Sequence, residues 1–81
     1  MKDQLIVDIK SEAKKKTKIK IVIYDENNHD KKVYERRFLI FPGENYIIID
    51  ADKIGAGRYH LKIYHRNKLI GYRNIEILRH K

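Results

Sequence analysis

The chain has 81 residues, with 19 Lys and Arg against 11 Asp and Glu, and a formal net charge of +8. That length allows one domain, residues 1–81, with one compact core. The lack of Cys excludes disulfides and thiolate metal sites, and no apolar run approaches the roughly 20 residues of a membrane-spanning helix.

The first strand signal is Gln4 to Lys10, where Leu5, Val7 and Ile9 alternate with polar residues. Residues 11–17, SEAKKKT, are charged and apolar-poor and read as a solvated loop. Lys18 to Tyr24 alternates again, with Ile19, Ile21 and Ile23 inward and Lys18 and Lys20 outward. Residues 25–30, DENNHD, suit a hairpin reversal, because Asn and Asp bond their own backbone in turns. Lys31 to Phe41 is a third strand. Its pattern switches from Val33, Glu35 and Arg37 to Phe38 and Ile40, which predicts a bulge. Pro42-Gly43 ends it.

Tyr46 to Asp50 is the fourth strand, and residues 50–57 form a corner. Arg58 to His65 is the fifth, a tight hairpin begins at Arg66-Asn67, and Lys68 to Leu78 is the sixth, with Gly71 marking a bulge. Arg79, His80 and Lys81 form a frayed tail. Ile54, Gly57 and Tyr59 have the spacing of a tyrosine corner, in which a Tyr near a strand start bonds back to nearby backbone. Six or seven short strands with hairpin signals predict an all-β protein, a small antiparallel immunoglobulin-like β-sandwich. The expected core is Leu5, Val7, Ile9, Ile19, Ile21, Ile23, Phe38, Ile40, Ile47, Ile49, Ile54, Tyr59, Leu61, Ile63, Ile75 and Ile77.

No catalytic constellation is visible. His29, His60, His65 and His80 never pair at i, i+2, and no paired carboxylate supports them as metal ligands. Asp25, Asn27 and Asp30 lack the Gly and terminal Glu of a calcium loop, whose twelfth position here is Arg36. The only aliphatic hydroxyls, Ser11 and Thr17, have no evident base. The reading is therefore a non-enzymatic module without cofactor or metal.

Charge is the sharper signal. Residues 1–24 carry seven Lys against three acids, and residues 58–81 carry seven basic residues against Glu76 alone. This predicts an electropositive surface built from the first and last strands, unless the charge serves solubility only. The candidate basic-aromatic surface is Lys18, Lys20, His60, Lys62, Tyr64, Arg66, Tyr72 and Arg73, with a second lysine cluster at Lys14, Lys15 and Lys16. Cations neutralise phosphates and tyrosines stack on bases.

The order of features also resembles a known family. Ile23-Tyr24-Asp25, Gly43-Glu44-Asn45, Ile47-Ile48-Ile49-Asp50, Ala56-Gly57-Arg58-Tyr59 and the basic end look like the C-terminal sorting domains of type IX secretion cargo, and like related bacterial immunoglobulin-like modules. The likeness covers roughly residues 4–79. It departs from the family's pattern in lacking an opening Asn-Pro pair, in its short end and in its higher charge. It implies a β-sandwich that secretion machinery, a protein partner, recognises. The alternatives are a small basic RNA- or ribosome-associated protein and an engineered sandwich with no natural partner. No signal peptide opens the chain, so it is expected to be cytoplasmic if complete, and secreted or at the cell surface if excised from a longer precursor.

Overall fold

The computed structural model describes residues 4–28 and 30–78. Six strands form two antiparallel sheets: β1 (Gln4–Ser11), β2 (Thr17–Asp25), β3 (Lys32–Ile40), β4 (Gly43–Asp50), β5 (Gly57–His65) and β6 (Lys68–Ile77). One sheet pairs β1 with β4, and the other has the order β3-β2-β5-β6. The Cα extents are 43 × 30 × 16 Å. The short axis has room for two sheets about 10 Å apart and for no third layer. With β1 to β6 taken as B, C, C′, E, F and G, the pairing is the immunoglobulin-like one. No counterpart of strand A occurs among the described residues. The residues of the expected frayed tail lie outside those described.

Alternation explains why the strands form and where they face. Ile19, Ile21 and Ile23 of β2 and Tyr59, Leu61 and Ile63 of β5 are buried on the inner face of the larger sheet. They meet Val7 and Ile9 of β1 and Ile47 and Ile49 of β4 in one core cluster. Burial of β-branched side chains on a pleated face stabilises each by about 1.5–3 kcal/mol relative to exposure. Leu5, Phe38, Ile54 and Ile75 pack against this cluster from its margin and are only partly buried. Two core residues escape the sequence pattern, Ala51 at 4% exposure and Val22 at 1%.

The third-strand bulge differs from expectation in place, whereas the β6 bulge lies beside Gly71 as expected. The β2–β3 register shifts between Ile23 and Tyr24, which pair with Tyr34 and Lys32, so Val33 is the extra residue. From Tyr34 to Ile40 the faces then alternate without a break. In β6 the shift leaves Ile70 unpaired beside Gly71. A Cβ at Gly71 would lie 3.1 Å from Ile63 Cδ1, so glycine makes room for that core side chain.

The strand at 43–50 starts three residues earlier than expected, because Asn45 builds the crossover from β3. Its carboxamide accepts from Phe41 N (2.9 Å) and donates to Phe41 O (2.7 Å), Gly43 O (3.1 Å) and Ile9 O (3.4 Å). One side chain thus fixes the Pro42 reversal and ties it to β1. At the other crossover Asp50 caps a single 3-10 turn, Ala51–Lys53, by accepting from Asp52 N at 3.1 Å. The Tyr59 hydroxyl then reaches back to Gly55 O (3.1 Å), Ala56 O (3.4 Å) and Ile54 O (3.5 Å), with its ring buried. Gly57 holds φ +150°, and a Cβ there would lie 3.1 Å from that hydroxyl. The corner read from Ile54, Gly57 and Tyr59 is therefore built as expected.

Candidate basic and aromatic face

Residues of opposite parity to the core cover the outer face of the four-stranded sheet. Cross-strand register arranges them in rows. One row reads Arg37, Lys20, Tyr64 and Leu69. The next reads Glu35, Val22, Lys62 and Tyr72, and the next Lys32, Tyr24, His60 and Asn74. Arg58 and Glu76 close the sheet at the corner end.

Cation–π pairs knit the rows. Lys20 Nζ lies 5.4 Å from the centroid of the facing Tyr64 ring, and Lys62 Nζ lies 5.1 Å from that of Tyr24 on the diagonal. Such contacts stabilise by about 0.5–1 kcal/mol at exposed sites. They also seal Val22, since long amphipathic side chains lay their stems over apolar surface and keep their charge in water.

Seven cations project here: Lys18, Lys20, Lys32, Arg37, Arg58, Lys62 and Arg66. The two acids of these rows are both taken. Glu35 binds Lys32 at 2.8 Å, and Glu76 binds Arg58 at 2.9 Å. The Glu35–Lys32 hydrogen bond, helped by the opposite charge, holds the Glu35 carboxyl below its ordinary pKa and the Lys32 ammonium above its own. Among the described residues, Lys18, Lys20, Arg37, Lys62 and Arg66 form no ion pair, and the charges of Lys20 and Arg37 add to that of Lys32 in holding the Glu35 carboxyl down.

Lys18, Lys20, Arg37 and Arg66 line an open cleft with Ile19, Tyr64 and Asn67. The β5–β6 hairpin delivers Arg66. Arg66 and Asn67 have φ of 52° and 64°, the left-handed pair of a two-residue turn whose twist matches the strands. Farther along the face, Tyr72 stacks on His60 with centroids 5.5 Å apart and planes at 29°. His60 Nδ1 lies 2.6 Å from the Tyr72 hydroxyl and 2.8 Å from Asn74 Oδ1, so the pair is held in place.

Seven of the eight residues expected on this surface are thus brought to one face. Arg73 is not among them. It pairs with Leu61 and takes the inner parity, and its guanidinium donates to Asp8 O of β1 at 3.1 Å. Arg37 and Tyr24 belong to the face and were not expected there. Only the β2–β3 register could have revealed Arg37. Lys14, Lys15 and Lys16 lie on the exposed β1–β2 loop, outside the rows.

His65 Nε2 lies 3.1 Å from Thr17 Oγ1. His29 and His80 lie outside the described residues. Among those described, no three His, Asp or Glu side chains gather as a metal site. No described helix is long and apolar enough to cross a membrane.

The opposite layer has another character. On the outer face of β1–β4, Ile6 (61% exposed), Ile48 (58%) and Tyr46 (66%) lie beside Asp8 and Glu44. A hydrogen bond with Asp8, and the charge of that neighbour, raise the Glu44 pKa above its ordinary value. The molecule is therefore basic on one broad face and apolar with acids on the other. No family model, curated protein or solved structure matches this chain.

Proposed function

We propose that this protein is a non-enzymatic binding module that engages a polyanionic partner through the outer face of its four-stranded sheet. One observation carries the reading. Both acids of the rows are ion-paired with Lys32 and Arg58, and five further cations on the same surface form no ion pair among the described residues. Gathering like charge costs self-repulsion, which a polyanion relieves while releasing its own counterions.

The test is retention on immobilised heparin across a salt gradient, wild type against Lys20→Glu/Arg37→Glu. Wild type is retained at about 50 mM salt and the variant elutes much earlier. Equal elution of the two, or no retention of wild type, overturns the reading.

A second reading is the secretion-sorting module recognised by a protein partner. It is favoured by the pinned Tyr59 corner and the Asn45 crossover, which are the segments that carry the family likeness. Fused behind a periplasmic reporter, the domain then exports it from a strain with the machinery. Reporter that stays in the periplasm refutes this reading.

A further inference from the structure

We infer that the polyanion is a single-stranded nucleic acid, its phosphates in the cleft of Lys18, Lys20, Arg37 and Arg66 and one base on the outer side of the Tyr72 ring. The inference rests on the polyanion reading of this face and adds the ligand class.

What lies beside the cations narrows the ligand class. Sulfated sugars and duplexes meet a basic face through charge alone, because neither offers an exposed planar base. Tyr72 is half exposed, and one side of its ring is already backed by His60. The hydroxyl contact to His60 and the Asn74 contact behind it fix that ring before any ligand arrives. A preset aromatic platform beside a positive groove is the arrangement that single-strand binders use, and stacking there tolerates any sequence.

Spacing supports the same ligand. Outward residues on one strand are about 7 Å apart, and neighbouring strands about 4.8 Å. Lys62 sits directly opposite Tyr72 and one outward step from Tyr64 at the cleft. A strand crossing from the cleft to Tyr72 therefore passes Lys62 and keeps a cation beside its backbone throughout. The outer rows offer carboxamides only at Asn74, already engaged with His60, and at the turn residue Asn67, so binding is not selective for sequence.

The experiment is fluorescence anisotropy with four probes: labelled ten-nucleotide oligoadenylate, the same length of abasic strand, a duplex of equal charge, and heparin. Oligoadenylate binds about tenfold tighter than the abasic strand, and Tyr72→Ala removes that advantage without moving heparin affinity. Tyr72→Phe keeps it. Lys20→Ala and Arg37→Ala each flatten the salt slope for oligoadenylate by about 0.7. Circular dichroism establishes that each variant is folded. Equal binding of oligoadenylate and abasic strand, or tighter binding of the duplex, overturns the inference and leaves the polyanion reading standing. Loss of binding to all four probes removes the polyanion reading itself.

Discussion

Replacing Tyr59 by Phe isolates the hydroxyl that closes the β4–β5 corner. It has one proton, and its three acceptors stand at 3.1, 3.4 and 3.5 Å. Only the first distance, to Gly55 O, comes close to the usual O–H···O range. Gly55 and Ala56 are not buried, so water can serve their carbonyls once the hydroxyl is gone. The loss is therefore the net value of one hydrogen bond, about 1 kcal/mol, without a penalty for stranded acceptors. For a domain of this size that lowers Tm by about 4–8 °C. Calorimetry measures it, and urea unfolding should show a lower midpoint at unchanged slope. Tyr59→Ala removes the buried ring as well and costs about 3–5 kcal/mol. A Tyr59→Phe variant within about 0.3 kcal/mol of wild type would refute the claim that the hydroxyl, rather than the ring, pins the corner.

Gly57→Ala meets both a left-sided φ and the Tyr59 hydroxyl, and loses about 1–3 kcal/mol in urea unfolding. Part of that loss disappears when Tyr59→Phe is already present, because the crowded atom is gone. Asn45→Ala removes one acceptor and the donors to three carbonyls, and destabilises by about 1–3 kcal/mol in the same assay. The Asp8–Glu44 pair gives a pH signature. Glu44 binds its proton more tightly folded than unfolded, so its contribution to stability falls as pH rises from its ordinary value through the raised one. Asp8→Asn removes this fall, so the Tm difference between variant and wild type grows from pH 4 to neutrality. A constant difference contradicts the pairing.

Much of the fold was legible because period-two alternation is strong wherever one face is buried and the other is wet. In β1, β2 and β5 it placed the inward residues Leu5, Val7, Ile9, Ile19, Ile21, Ile23, Tyr59, Leu61 and Ile63. Tyr59 and the glycine before it were legible because the corner is local. What failed was whatever depends on a neighbouring strand. Val22 is outward by parity yet sealed, since Lys62 comes from a neighbouring strand that only pairing sets opposite it. Arg73 is a different case: it follows Tyr72 directly, and alternation within β6 alone puts the two on opposite faces. The third-strand bulge shows as a broken pattern, while its site at Val33 depends on the partner register. The candidate face was half legible for the same reason: its β2 and β5 cations alternate visibly, and Arg37 enters only through pairing with Lys20.

Arg73 bears on more than its own placement. A two-stranded layer over a four-stranded one has open flanks, and backbone at such margins invites other chains to zip on. By bridging from β6 to the Asp8 carbonyl, the guanidinium plugs one flank with a permanently charged, water-loving group. The cation missing from the basic face thus occupies a backbone acceptor on that margin, which is then not offered to a pairing strand.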